Sequence, residues 1–229
     1  MVLTDCHLSR RLAPVTTAAP TKRTRTRAAL LTALQELLLD PEVPAVSVPL
    51  VVGRAGTAQG TFYNYFESLP DAIDAVGALL LTEHTRVLQV VTSGAADTAD
   101  VVARSARQTL MLFAERLDAG RLIFDSGLPV DRFVAGLRAH LHHDLQRGMN
   151  RGDFSVADFG IASTVYTGTM LGACLDLYRG RLPADAVPEV AGHLLRTLGV
   201  SPRTARRLIS APQEFVQWAP LPLSVIEEI

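Results

Sequence analysis

The sequence predicts an all-α fold, with a small N-terminal helical unit followed by a larger helical one. Three observations predict it. Apolar residues recur at i, i+3 and i+4 in one segment after another. No segment shows convincing period-2 alternation. The chain has 229 residues, 48% of them apolar and 20% charged, which is enough apolar material for a substantial core.

Taken in order, residues 1–20 mix Pro, Thr, Ala and Arg without periodicity and read as a flexible arm. From Thr21 onward Ala29, Leu30, Ala33, Leu34, Leu37 and Leu38 fall at helical spacing, and Asp40-Pro41 stops that helix. Ser47 is an N-cap candidate, with Pro49 near the first helical position. A short helix is expected from Val48 to about Arg54, a break at Ala55-Gly56-Thr57, and a restart at Ala58. Ser68 and Asp71, in capping-box spacing, open a long helix that reaches Val91. The next helix places Leu110, Phe113 and Leu117 on one face and is expected to end at Gly120. Phe133, Leu137, Leu141 and Leu145 follow at i, i+4 steps. Residues 156–178 are apolar nearly all round, the mark of a buried helix. Val187, Val190, Leu194 and Leu198 define another, and a short Arg-rich helix is expected at Pro202. The expected organisation is an arm (1–20), a helix-turn-helix domain (21–67), a larger helical domain (68–210) and a C-terminal tail (211–229).

Net charge is −1, so composition alone points to no polyanionic partner. The charge is uneven, however. Residues 1–66 hold seven Arg or Lys against four acids, a balance of +3 that leaves −4 for the remainder. Only the N-terminal part is suited to face something anionic. Cys6 and Cys174 lie far apart without metal-ligand spacing and read as reduced thiols of a cytoplasmic protein. Residues 1–20 contain no continuous apolar region of the kind that directs secretion. The longest uncharged run, Phe159 to Leu175, is short for a membrane span and dense in Gly, Ser and Thr, so no membrane partner is expected.

The densest information lies in Ala55 to Phe66, where Phe62, Tyr63, Tyr65 and Phe66 cluster in an otherwise aliphatic chain. On a wheel of about 100° per residue, Ala55, Phe62 and Phe66 share one stripe. Thr57, Gly60, Thr61 and Asn64 point the opposite way, and Tyr63 and Tyr65 lie on the shoulders. The outward face is small, polar and uncharged. Glycine at its centre costs about 1 kcal/mol against alanine. Two accounts are open: drift or a bend, and close approach by the backbone or base edges of another macromolecule. A short helix, a Gly-containing turn and a second short helix form the helix-turn-helix arrangement, whose second helix enters the DNA major groove.

The run Ser47-Val48-(x)-(x)-Val51-Val52-(x)-(x)-Ala55-Gly56-Thr57-Ala58-Gln59-Gly60-Thr61-Phe62-Tyr63-Asn64-Tyr65-Phe66-Glu67-Ser68 resembles the DNA-binding signature of the TetR family of bacterial repressors. The usual form of that signature is T-V-x-x-I-A-x-x-A-G-V-S-x-G-T-F-Y-x-Y-F-x-S-K-E-x-L. The resemblance implies base or near-base contacts by Gln59, Thr61 and Asn64, with Gly60 as clearance. It implies phosphate bonds from Thr57, Tyr63 and Tyr65. Gln and Asn suit adenine edges, and a Thr methyl suits a thymine methyl. The chain departs from the pattern twice. Thr57-Ala58 replaces Val-Ser, which shifts the N-cap duty to Thr57. Leu69-Pro70 replaces Lys-Glu, which leaves only backbone N–H groups and the helix dipole to hold a phosphate there. The basic residues Lys22, Arg23, Arg25 and Arg27 offset that loss as an arm along the DNA backbone or minor groove, or else form a solvated tail.

The resemblance further implies a double-stranded DNA operator, a homodimer built on the last two major helices, and release by a small-molecule effector. Gly168 and Gly172 permit close approach of a second helix, from a partner or from within the subunit, and Val187, Val190 and Leu194 are the other interface candidates. A ligand chamber is implied among the middle helices. Leu80, Leu88, Leu110, Phe113, Phe124, Phe133, Leu137, Leu141, Tyr166 and Met170 are its candidate lining, with plain core as the competing role for each. Few charges interrupt those faces, which favours an apolar or aromatic effector, a long acyl chain among them. His140, His142, His143 and Asp144 cluster, but only His140 and Asp144 share a helix face, so a solvated face is preferred to a metal site. No catalytic constellation, nucleophile elbow or phosphate-binding glycine loop is present, and neither enzyme activity nor a cofactor is expected. The competing functional class is a dimeric small-molecule sensor or interaction protein whose DNA binding is weakened or lost.

Overall fold

The computed structural model of the chain describes residues 21–224, except for the side chains of residues 130–133, 137 and 140. The arm at 1–20 therefore lies outside the described residues. Thr21 caps α1 (Lys22–Leu39) by accepting the Thr24 N–H at 3.2 Å, and Asp40 ends it. The basic run predicted as an arm is thus the first two turns of a helix. Ser47 and Pro49 open α2 (Val48–Arg54), the expected range.

The turn after α2 is closed by two bonds. Gly56 N–H donates to the Gly53 carbonyl at 3.3 Å and Thr57 N–H to the Val52 carbonyl at 2.9 Å, the 5→2 and 6→1 pair of a Schellman motif. Gly56 sits at φ +64°, the left-handed conformation that this motif requires. α3 (Gln59–Phe62) is a single turn capped by Ala58, followed by tight turns through Tyr65. Phe62 is 0% exposed and stacks obliquely on Phe66 at 5.4 Å, and both join the Leu30, Leu31, Leu34, Val51 and Val52 side chains in the core. Burial of a Phe of this kind contributes about 1.5–3 kcal/mol.

α4 (Leu69–Val91) leads into the larger unit. Ser68 Oγ accepts the Asp71 N–H at 3.3 Å, while the Asp71 carboxylate reaches back to the Glu67 N–H at 3.0 Å, one residue earlier than in the usual capping box. α5 (Thr98–Glu115), capped by Asp97, is the central post, packed by α4, α7 (Val130–Arg151), α8 (Phe159–Tyr178), α9 (Val187–Thr197) and α10 (Pro202–Ser210). A 3-10 turn at Ala184–Ala186 precedes α9. The described residues contain no strand, which bears out the all-α prediction. No helix among them is long and apolar enough to cross a membrane.

Three expectations change. The helix expected to end at Gly120 breaks instead at Arg116, and α6 (Leu117–Phe124) continues through Gly120. The Tyr178 ring occupies the space that a Cβ at Gly120 would need, so this glycine serves close packing and terminates nothing. Leu117 accordingly leaves the Leu110–Phe113 face and is exposed. α8 is not buried all round: Ile161 and Val165 are 67% and 45% exposed, and Gly168 and Gly172 open onto the same side.

The third change is at the end of the chain. Residues 211–224 of the expected tail form an extended strap across α5, α4 and α1. Glu83, nearly buried, accepts the Ala219 N–H at 2.7 Å and pairs with Arg86 at 2.7 Å. The Arg86 hydrogen bond, helped by Ala219 and opposed by burial, holds its carboxyl below the ordinary 4.5. A depressed carboxyl contributes stability that is complete above its unfolded value and is lost as pH falls through the folded one. Asp118, lowered by its hydrogen bond from Arg116, acts in the same direction. Acid titration below pH 4.5 is therefore expected to loosen the strap and red-shift emission from Trp218, the only tryptophan. In Glu83→Gln the amplitude of that pH step should shrink.

Candidate functional site

The helix-turn-helix face is built outward from the Phe62–Phe66 anchor. With those rings pinned inward, Gln59, Gly60 and Asn64 are exposed and Thr61 is half-buried on the opposite side. Nothing lies within 4 Å of the position a Cβ would take on Gly60, so no internal contact requires a glycine there. Tyr63 is 53% exposed and meets the Phe62 ring edge-on at 5.4 Å. Tyr65 is half-buried, with the Arg23 guanidinium 5.9 Å from its ring centre, and Arg27 similarly covers Phe66 at 5.4 Å. Lys22, Arg23 and Arg25 are exposed on the first turns of α1, beside this face. Arg54 is occupied by Glu36 at 3.2 Å and by Asp40 at 3.8 Å.

One expectation fails at the edge of this face. Thr57 neither caps α3 nor offers its hydroxyl to solvent: Ala58 is the cap, and Thr57 Oγ1 is buried with no hydrogen-bond partner among the described residues. The Schellman closure through the Thr57 N–H turns its side chain back beneath the turn. The N-terminus of α4 is also a poor phosphate seat. Pro70 has no N–H, the Asp71 N–H is taken by Ser68, and the Asp71 carboxylate supplies the anion itself.

A cavity in the larger unit lies between α4, α5, α7 and α8. Of the predicted lining, Leu88, Leu141, Tyr166 and Met170 face it together. Leu80, Leu110 and Phe113 are sealed in the core away from it, and Phe124 stacks between Phe113 and Tyr178. The side chains of Phe133 and Leu137 lie outside the described residues. The polar wall was missed: His84, Ser105, Thr109, Asp144 and Thr167 also line the cavity. Thr109 Oγ1 and His84 Nε2 are 3.2 Å apart, and Arg138 Nε donates to Thr167 Oγ1 at 3.2 Å. Burial first, and the Asp144 charge second, push the Tyr166 phenol well above its ordinary value and keep it neutral. The cavity is thus an apolar slot with a few hydroxyl and imidazole groups to orient a ligand. His84 was legible, since it falls on the same i, i+4 row as Leu80 and Leu88.

Of the predicted interface residues, Val187 and Leu194 are fully buried inside the subunit and have no surface to offer a partner. Val190 is half-buried, while Gly168 and Gly172 are exposed with nothing within 4 Å of an added Cβ. His142 and His143 are exposed, and His142 packs edge-on against Phe159 at 4.6 Å. No three His, Cys, Asp or Glu residues among those described converge to hold a metal.

A family model described as the tetracyclin repressor-like C-terminal domain matches residues 97–211, half of the chain. The solved complex of RolR with its ligand resorcinol is 26% identical, with a TM-score of 0.68 over 86% of this chain and 98% of that one. The fatty acid degradation regulator FadR from Bacillus halodurans shares the fold at 16% identity, with a TM-score of 0.60 over 74% of this chain and 94% of that one. The reduced form of NemR from E. coli does so at 20% identity, with a TM-score of 0.57 over 77% and 99%. No curated protein sequence matches the chain.

Proposed function

Because the chain belongs to the TetR family of transcriptional regulators, we propose that it is a repressor that binds a palindromic operator as a homodimer and is released by a small, largely apolar, phenol-like effector. The observation that carries this reading is the combination, in one chain, of an outward α3 face with no internal role and an apolar cavity with polar orienting groups. Gln59, Thr61 and Asn64 read base edges, Gly60 provides clearance, and Tyr63 and Tyr65 donate to phosphates. Lys22, Arg23 and Arg25 add charge beside the groove, and Arg23 also braces Tyr65. Thr57, with its hydroxyl buried, is left out of the contact set.

The phenol class is favoured over an acyl chain by two facts. RolR, the more similar relative, holds resorcinol, and the cavity mixes His84, Thr109 and Thr167 with Leu88, Leu141 and Met170. An aromatic ring fits the apolar walls while its hydroxyls find partners. Induction is a population shift, in which the effector favours a dimer spacing that takes the two α3 helices out of register with the groove.

The test is selection of duplexes from a random pool by the full-length protein, followed by gel shifts at stepped salt and in the presence of resorcinol. A two-fold symmetric sequence, a steep salt slope and release by resorcinol are expected. Tyr63→Phe with Tyr65→Phe removes two hydrogen bonds of about 1 kcal/mol each from every subunit, four in the dimer, so affinity should fall about 1,000-fold on every sequence alike. Unchanged affinity at matched salt would remove the phosphate role. A second reading, a dimeric sensor with weakened DNA binding, is favoured by the carboxylate that Asp71 places at the α4 N-terminus. Failure to enrich any duplex would select it.

A further inference from the structure

The strap joins the cavity wall to the DNA-reading unit. Near its middle, the buried Trp218 packs against His84, ring centres 5.9 Å apart, and His84 forms part of the cavity wall. At its far end, Leu223 exchanges two bonds with Gln35 of α1: its N–H donates to Gln35 Oε1 at 2.7 Å, and its carbonyl accepts from Gln35 Nε2 at 3.0 Å. Gln35 is fully buried, in the same stripe as Leu31, Leu34 and Leu38, which pack the helix-turn-helix core. Side chains of the larger unit hold the segment between and before these points. Gln108 exchanges two bonds with Val216, each 2.9 Å, Glu83 takes the Ala219 N–H, and Arg116 donates to the Trp218 carbonyl at 3.3 Å.

We propose that residues 211–223 are a transmission strap that carries occupancy of the cavity to α1 through the series His84, Trp218, Leu223 and Gln35. The strap contains no helix or strand, and from Val216 to Leu223 the backbone groups that anchor it bond side chains of other elements. It can therefore shift along its length without breaking a ladder of its own, whereas the helices on either side move as rigid rods. A ligand that displaces His84 must displace the Trp218 ring packed on it, because a close-packed interior transmits such shifts. The far end of the strap is tied to α1 by a two-point grip, which passes on translation as well as tension. This gives the cavity a route to the DNA-reading unit separate from the direct path along α4. The role in induction rests on the proposed reading of the cavity as the effector site; the mechanical link itself does not.

Two measurements on the full-length protein separate these. Gln35→Met keeps the volume of the side chain but releases Leu223. Hydrogen exchange, without ligand or DNA, should then speed up at least tenfold in the strap and at its other end, in the peptides around His84 and Thr109. A speed-up confined to α1 and the last strap residues would overturn the link. In the second measurement, Gln35→Met and Trp218→Phe are titrated with resorcinol while bound to a duplex selected from a random pool. DNA affinity without resorcinol should stay within threefold of wild type, and the resorcinol-induced release should fall at least tenfold. Wild-type release in both variants would also overturn the strap. If wild-type protein ignores resorcinol, the phenol reading of the effector fails, and the exchange result still decides the link.

Discussion

Replacing Gly60 by leucine should abolish operator binding and leave the protein folded. The folded state has no objection to a side chain there, since nothing lies within 4 Å of the added Cβ and the residue is exposed. Leucine is the better helix former by roughly 1 kcal/mol, so the melting temperature should hold or rise. The penalty falls wholly on the complex. α3 has a single turn, so its outward face cannot roll away from an obstruction without withdrawing Gln59, Thr61 and Asn64 as well. A loss of at least about 100-fold in affinity, or about 2.7 kcal/mol, is expected in gel shifts on a selected duplex, with a smaller loss for alanine. Leucine binding within about threefold of wild type would mean that Gly60 is a tolerated helix defect. Drift and close approach predict opposite results in the same pair of measurements.

What the sequence made legible, and what it hid, follows from the range of the interactions involved. α1, α2 and α4 were readable because local chemistry bounds them: Thr21, Ser47 and Ser68 start them, and Asp40 and the Gly56 turn stop the first two. The inward stripe of Phe62 and Phe66 was readable because helical period alone separates it from Gly60 and Asn64. Gly120 was misread because a glycine has the same appearance in sequence whether it ends a helix or admits a ring from 58 positions later, as Tyr178 proves to be. Thr57 was misread because its hydroxyl is directed by a backbone closure that occurs only once the chain has turned. The cavity was half found. Leu88 and Leu141 face it, but Leu80 and Leu110, on the same sort of stripe, are core, and only tertiary packing separates the two. The strap left one trace, Gln35 set in an otherwise apolar stripe between Leu31 and Leu38, where a buried amide has to find a partner.

Val165→Glu should convert the proposed dimer to a monomer at micromolar concentration and so disable operator binding from a site distant from the DNA-reading face. The inner face of α8 is committed, with Ala162, Tyr166, Met170, Ala173 and Leu177 buried within the subunit. Its outer face presents Ile161 and Val165 to solvent, with Thr164, Gly168 and Gly172 beside them. Such a face is apolar yet low in relief, which lets a second α8 approach closely across a two-fold axis. Burying the half to two-thirds of Val165 and Ile161 that is still exposed adds about 1–2 kcal/mol each, and two-fold symmetry counts each residue twice. Glutamate at 165 removes that gain and brings two carboxylates to one dry contact, at a cost of several kcal/mol. The subunit itself should be untouched, because Val165 has little to lose inside it. Sedimentation should then report a monomer. Affinity for a two-half-site duplex should fall by about 10²–10⁴ as avidity is lost, while affinity for a single half-site stays within about threefold. Leu117→Glu is the control: Leu117 is also apolar and still more exposed than Val165, but it lies on α6, in a cleft with Tyr178 and Arg179 at the C-terminal end of α8. A dimer that survives Val165→Glu, or one that Leu117→Glu disrupts equally, would place the interface elsewhere.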